Sequence, residues 1–287
     1  MFSSNCFITD QEIAWCPGCG NFAILEVLQE TLAELELSPH QVLLCSGIGQ
    51  AAKIPHYVRV NGFNGLHGRA LPPAVGARIA NSSLKVIVQS GDGDTYGEGG
   101  NHFLHTIRRN PDIAHFVHNN QVYGLTKGQA SPTSDPGMKT KVQAAGVILS
   151  PFNPLSLALT LGAGFVARGF SGEKEHLKQL MKAALSFPGY ALVDILQPCV
   201  SFNKLNTFAW YKKRVEILKN HEPTDIEAAQ RLARKWGEKI PIGIFYEVPT
   251  PTFESQIPAL QGKWGKEPLA YRHFDPNTLA HLQEEFM

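Results

Sequence analysis

A chain of 287 residues that is 43% hydrophobic can bury one large core or two closely packed ones, which excludes a small disulfide scaffold. Its 26 basic and 25 acidic residues leave a formal charge of +1, so no long-range attraction to nucleic acid is expected. No window supplies the roughly 20 apolar residues of a spanning helix, and the start MFSSNCFITDQEIAWC lacks a basic segment followed by an apolar one. A soluble cytoplasmic protein with no membrane partner is the expectation.

The first distinctive stretch is Trp15-Cys16-Pro17-Gly18-Cys19-Gly20. Two thiols flanking a Pro-Gly turn can converge on one metal centre, and five cysteines in all fit metal or redox use inside a cell better than secreted disulfides. Residues 21–36 space Phe22, Leu25, Leu28, Leu32 and Leu35 at near-helical intervals, which predicts an amphipathic helix. A short apolar run at 41–45 then reads as a buried strand entering the glycine turn Ser46-Gly47-Ile48-Gly49.

A second strand at 84–89 stops just before Gly91-Asp92-Gly93-Asp94. A helix follows at 97–109, and a strand at 113–118 ends at Asn119-Asn120. Strand, turn, helix, strand is the rhythm of an α/β fold, a mostly parallel sheet with helices on both faces. Both polar runs then fall at the carboxyl ends of strands, where open α/β sheets take ligands.

Residues 124–140, rich in Gly, Pro, Ser and Thr, read as an ordered active-site loop or a lid. A helix and strand are expected within 155–169, a helix at 172–186, and a buried strand at 190–196 that ends at Pro198-Cys199. A helix at about 225–235, with a capping box from Thr224 and Glu227, precedes an edge strand at 242–247. The last forty residues read as a tail packed across the body or against another subunit. Two parts are expected, a binding domain over 1–210 and a C-terminal extension over 211–287.

The chemistry concentrates in the Gly91-Asp92-Gly93-Asp94 and Asn119-Asn120 runs. Magnesium prefers compact octahedral oxygen coordination with one or two carboxylates and phosphate oxygens. Asp92 offers a carboxylate, Asn120 a side-chain carbonyl, and the backbone just beyond it a further oxygen. The glycines let a diphosphate approach the backbone closely.

A magnesium signature that begins Gly-Asp-Gly and ends near Asn-Asn resembles that of thiamine-diphosphate enzymes. Together with CPGCG, the Gly47-Ile48-Gly49 turn, LHGRALP at 66–72, GNHFLHTIRRN at 100–110 and YGLTKGQASPT at 123–133, the chain resembles the beta subunit of 2-oxoacid:ferredoxin oxidoreductases. The likeness runs in order over about residues 12–210. It implies a thiamine-diphosphate-binding fold with Asp92, Asn120 and the Val122 carbonyl on magnesium. It also implies a cofactor cleft drawn from Gly47, Ile48, Gly49, His67, Gly91, Gly93, Asp94, Tyr123, Gly124, Leu125 and Thr126. On the same resemblance His67 approaches the diphosphate or substrate, and Lys53 and Lys127 contact the carboxylates of a 2-oxoacid.

The resemblance further implies one 4Fe-4S cluster on Cys16, Cys19 and Cys199. Members of the family carry cysteine immediately after the glycine turn, whereas this chain has Gln50. Cys45, five residues upstream, is the replacement expected, with Cys6 as the alternative. The activity implied is coenzyme-A-dependent oxidative decarboxylation of a 2-oxoacid with ferredoxin as acceptor, or the reverse carboxylation. LHGRALP and GNHFLHTIRRN are similar to the 2-oxoglutarate type. An alpha subunit is implied as partner, in a dimer of heterodimers. Two other readings stay open: a non-redox thiamine-diphosphate decarboxylase subunit, and an assembly subunit stabilised by zinc.

Overall fold

The computed structural model describes residues 3–261, 267–273 and 275–286. A 3-10 turn at Ser4–Phe7 and the Cys16-Cys19 turn lead into α1 (Asn21–Glu34), followed by β1 (Val42–Ser46), α2 (Ile54–Tyr57), β2 (Asn61–Asn64) and α3 (Leu71–Ala80). Next come β3 (Lys85–Gly91), α4 (Gly100–Arg109), β4 (Ile113–Asn119), and a small hairpin of β5 (Val122–Tyr123) and β6 (Gln129–Ala130). The remainder is α5 (Pro154–Thr160), β7 (Phe165–Phe170), α6 (Lys174–Ser186), β8 (Tyr190–Leu196), α7 (Phe208–Lys212), β9 (Val215–Ile217), α8 (Ile226–Ala233), β10 (Ile240–Glu247) and α9 (Pro276–Glu284).

Eight strands form one sheet in the order β2-β1-β3-β4-β8-β7-β10-β9. Every pairing in it is parallel except that of β10 with β7. Helices on both faces bury the central strands completely, which is why β8 reads Tyr-Ala-Leu-Val-Asp-Ile-Leu with no polar alternation. One apolar layer joins Ile24, Leu28 and Leu32 of α1 to Leu177 and Met181 of α6. The other joins Leu71 of α3, Phe103 of α4, Leu155 of α5 and Ala229 of α8. Removing a side chain such as Leu28, fully buried, costs about 2–5 kcal/mol by the usual large-to-small rule. Lys178 bridges Glu30 and Glu34 over the α1–α6 seam at 3.1 and 3.0 Å, a surface contact worth far less.

Several expectations are corrected. β10 is an edge strand as expected only over 243–247, where it pairs with β7 alone; at 240–242 β9, which has no clear sequence signal, pairs outside it. The helix expected from residue 97 is a π-helical turn over Gly93–Glu98 that passes into α4. Asp225, not Thr224, caps α8, accepting from the Ala228 amide at 2.9 Å. The first part of the tail meets the body, where the Phe253 amide donates to the Asn110 carbonyl at 3.0 Å and Glu254 meets Arg78 at 3.3 Å, whereas α9 buries no residue. Residues 262–266, 274 and 287 of that tail lie outside the described residues. Among the described residues no helix is long and apolar enough to cross a membrane.

Candidate active site

Parallel pairing aligns the carboxyl ends of β1, β3 and β4, so the turns after them meet in one cleft. Every residue expected to surround the cofactor except Gly47 lines it, from Ile48 and His67 through Asp92 and Asp94 to Asn120 and the 122–126 segment. Gln50 and Ala51 complete the wall.

Asp92, 1% exposed, directly follows β3. Its Oδ2 accepts from the Ser131 hydroxyl at 2.5 Å and the Thr133 hydroxyl at 2.6 Å, both from the segment after β6. Burial raises its pKa to about 6, the two hydroxyls oppose that rise, and the Asp194 carboxylate adds to it. A carboxylate held on one oxygen by two hydroxyls presents its other oxygen in a fixed direction.

Gln121 has φ +58, and this left-handed kink sends its side chain away to the Thr133 carbonyl and the Tyr211 hydroxyl. Its neighbours Asn120 and Val122 both line the cleft instead. Asn120 Oδ1 accepts from the Val122 amide at 3.0 Å, closing a small loop at the end of β4.

Opposite them, Asp94 Oδ1 accepts from the Gly68 amide at 2.7 Å and the Ile48 amide at 3.2 Å, and lies 3.0 Å from His67 Nδ1. Burial raises the Asp94 pKa, while those two amides and His67 oppose the shift. Gly47 makes this approach possible, because a Cβ there would collide with the Asp94 carboxylate. The Tyr123 hydroxyl donates to Glu98 at 3.0 Å. Gln50 Oε1 and Asp94 Oδ2 are buried without hydrogen-bond partners, so the cleft offers oxygen acceptors to a bound cation or amino group. These residues fit a magnesium diphosphate bound between them.

Lys53 ends the 3-10 turn Ala51–Lys53 beside the wall residue Ala51, and is half-buried. Lys127 is exposed at the tip of the β5–β6 hairpin, directly after Thr126, with φ +80. Both lysines thus flank the cleft without lining it.

The N-terminal cysteine segment is tied to this cleft by Trp15, whose Nε1 donates to the Gln50 carbonyl at 2.9 Å. Burial raises the Cys19 thiol to about 11, with smaller contributions from the nearby Cys199 and Cys16 thiols. Gln197 Nε2 donates to Cys19 Sγ at 3.5 Å and Ser201 Oγ to Cys16 Sγ at 3.0 Å. Cys45 is a correction. It is fully buried with Ala70, Leu71 and Val86 on the α3 side of the sheet, whereas Cys19 packs against the α1–α6 layer. Burial alone raises it to about 12, and the structure does not bring it to the other three. Cys6 is exposed on the N-terminal turn. Among the described residues no three His, Cys, Asp or Glu side chains are placed to share one metal ion.

Sequence reasoning assigned no role to Ser131, Thr133, Glu98 or Asp194. Ser131 and Thr133 fall inside the family-like YGLTKGQASPT stretch, which was the available signal, but only the hairpin fold aims their hydroxyls at Asp92.

Residues 42–195 match the family described as "Thiamine pyrophosphate enzyme, C-terminal TPP binding domain", so the cleft belongs to a thiamine-diphosphate enzyme. Residues 199–262 match the family of the C-terminal part of the pyruvate ferredoxin oxidoreductase beta subunit. The chain is 46% identical to a 2-oxoacid:ferredoxin oxidoreductase subunit beta of Saccharolobus solfataricus, over 85% of each chain. It is 44% identical to 2-oxoacid:ferredoxin oxidoreductase 1, subunit beta, of Aeropyrum pernix, over 85% of this chain and 80% of that one. A solved structure of 2-oxoglutarate:ferredoxin oxidoreductase from Magnetococcus marinus, with 2-oxoglutarate, coenzyme A and succinyl-CoA bound, superposes with a TM-score of 0.91. That match is 35% identical and covers 98% of this chain and 96% of the other. The chain therefore belongs to the family of 2-oxoacid:ferredoxin oxidoreductase beta subunits.

Proposed function

We propose that this chain is the thiamine-diphosphate-binding half of a coenzyme-A-dependent enzyme that oxidatively decarboxylates a 2-oxoacid and reduces ferredoxin, or runs the reverse carboxylation. The observation that carries the reading is the cleft in which a doubly clamped Asp92 faces Asn120 and Val122 across the carboxyl ends of β3 and β4. Asp92, Asn120 Oδ1 and the Val122 carbonyl would hold magnesium. Bound thiamine diphosphate supplies a nucleophilic carbon and an electron sink for the decarboxylation.

The chain's own residues then bind and orient. His67, at 3.0 Å from Asp94, is held at the mouth of the cleft, where its ring can meet a diphosphate oxygen or the substrate. Lys53 and Lys127 are flexible cations beside the opening and suit the carboxylates of the 2-oxoacid. The 2-oxoglutarate-bound structural relative favours a dicarboxylate. Cys16, Cys19 and Cys199 are the thiols for an iron-sulfur cluster. With Cys45 in the core the set lacks one thiolate, and Cys6 is the remaining exposed cysteine.

In this reading an alpha partner supplies the rest of the site, in an assembly of two alpha-beta pairs, and ferredoxin takes the electrons. The division into residues 1–210 and 211–287 belongs to the same reading: β9 and β10 come from the second part and extend the sheet of the first.

Coexpression with the alpha partner, anaerobic purification and comparison of 2-oxoglutarate, pyruvate and branched 2-oxoacids test the proposal. The expected result is coenzyme-A-dependent reduction of ferredoxin or a viologen dye, fastest with 2-oxoglutarate, by protein containing iron and acid-labile sulfide. Decarboxylation without dye reduction, or colourless protein with stoichiometric zinc, overturns it.

A further inference from the structure

A second cavity, of about 170 Å³, lies on the other side of the Asn119–Thr133 wall from the cofactor cleft. Its floor carries Arg168 of β7, only 3% exposed. Among the described residues no carboxylate lies within 4 Å of this guanidinium in an ion pair. Its Nε–H has no partner, and its Nη1 makes one long hydrogen bond, 3.5 Å to the Pro241 carbonyl. The rings of Trp236 and Phe245 sit 5.5 Å from it. An arginine remains charged in a protein interior; Asp194, which lines the same cavity, offsets part of the cost of burying it but leaves the Nε–H without an acceptor.

The other polar side chains around the cavity are already engaged. Asp194 accepts from the Tyr96 hydroxyl at 2.8 Å and from Asn119 Nδ2 at 3.2 Å. Asp135 accepts from Trp236 Nε1 and Asn206 Nδ2, both at 2.8 Å. Gln121 and Asn153 each use both ends of their amides within the protein. Arg234, exposed at the mouth, is the second guanidinium. Asp194 and Asp135 balance the two guanidiniums in charge, but the spare donors on Arg168 and Arg234 face a space that holds few spare acceptors, and the missing partner is one that brings acceptors.

We propose that this cavity is a binding site for a small carboxylate, seated on Arg168 and closed over by Arg234. The planar guanidinium fork matches two carboxylate oxygens, and Phe152, Pro154 and Trp236 suit a short hydrocarbon tail. The volume of about 170 Å³ corresponds to roughly six waters at about 30 Å³ each, enough for an acid of a few carbons. The site is separate from the substrate cleft but shares a wall with it, because the Thr133 hydroxyl touches both Asp92 and Asn119.

The test is calorimetric titration of the alpha-beta complex, saturated with thiamine diphosphate and magnesium, with acetate and separately with orthophosphate at constant ionic strength. Saturable binding of one acetate per beta chain is expected, weakened about tenfold in Arg234→Ala, the loss of one charge-assisted contact, and abolished in Arg168→Met. No saturable binding by the wild type means the cavity holds water only and overturns the proposal. Orthophosphate binding more tightly than acetate overturns the carboxylate class. Binding found only when thiamine diphosphate is withheld reports the cofactor cleft, and also overturns it. Should Arg168→Met fail to fold, the exposed Arg234→Ala decides, and unchanged affinity there sinks the idea. No arm depends on turnover, so the outcome is independent of the proposed reaction.

Discussion

The Thr133 hydroxyl donates to Asp92 Oδ2 across 2.6 Å, fastening the segment after β6 to the carboxyl end of β3. That bond fixes which oxygen of Asp92 is left for a cation. Thr133→Val keeps the shape and removes the bond, a loss of about 1 kcal/mol for one hydrogen bond. Magnesium-dependent binding of thiamine diphosphate, measured by calorimetry, is expected to weaken about fivefold to tenfold, with Thr133→Ser restoring it. Equal affinity in all three proteins would show that Thr133 does not orient Asp92.

Acid stability should be governed by buried histidines, not by Asp92. Burial raises Asp92 from 3.8 to about 6, so between those values the folded chain holds a proton that the unfolded chain has lost, and this group's contribution falls as pH rises. His115 and His118 act with the opposite sign. Burial lowers both from 6.5 to about 3, so stability present above 6.5 is lost as pH falls toward 3. Each ring is shifted further than Asp92, so their loss outweighs that group and net stability is expected to decline on acidification below about 6.5, with Asp94 and Asp194, also raised by burial, acting on Asp92's side. Urea unfolding across pH should show a shallower acid limb in His115→Gln; an identical slope would remove His115 from the account.

Cys45→Ala should separate core packing from cluster chemistry. The variant is expected to lose about 1–2 kcal/mol of stability for a small buried truncation, and to keep the iron and sulfide of the wild type. Cys19→Ala or Cys199→Ala should instead lose them. Metal analysis of anaerobically purified complexes decides, and iron loss in Cys45→Ala would restore Cys45 as a ligand.

Lys127 occupies a left-handed backbone position at φ +80 in the turn that closes the β5–β6 hairpin. Lys127→Gly relieves strain of about 1 kcal/mol, so its thermal midpoint should equal or exceed that of the wild type. Its KM for the 2-oxoacid is nonetheless expected to rise about tenfold, the order expected for one lost charge-assisted contact. Steady-state kinetics beside a melting curve make the comparison, and an unchanged KM would argue against carboxylate binding.

How much of this was legible depended on whether the signal was local. β8 falls at 190–196 and β4 within one residue of its expected span because mostly apolar runs ended at polar turns. α3 was hidden by Pro72 and Pro73, which look like breakers but sit in the first turn, where a missing amide costs no hydrogen bond. The 47–49, 91–94 and 120–126 segments could be grouped because strand ends converge in a parallel sheet. Cys45 could not be placed, since β1 is buried on both faces and its pattern does not say which face a side chain takes. Thr133 and Ser131 find Asp92 only through the hairpin, a relation that spacing does not encode.

The crowding of Gly47 against Asp94 joins two distant stretches into one heritable unit. Any side chain at position 47 must push the carboxylate at 94 off the amides of Gly68 and Ile48. Neither position is free to drift alone. Divergence or redesign of the first glycine turn is therefore epistatic with an acid on another strand, and a tolerated Gly47→Ala is to be sought only together with a smaller residue in place of Asp94.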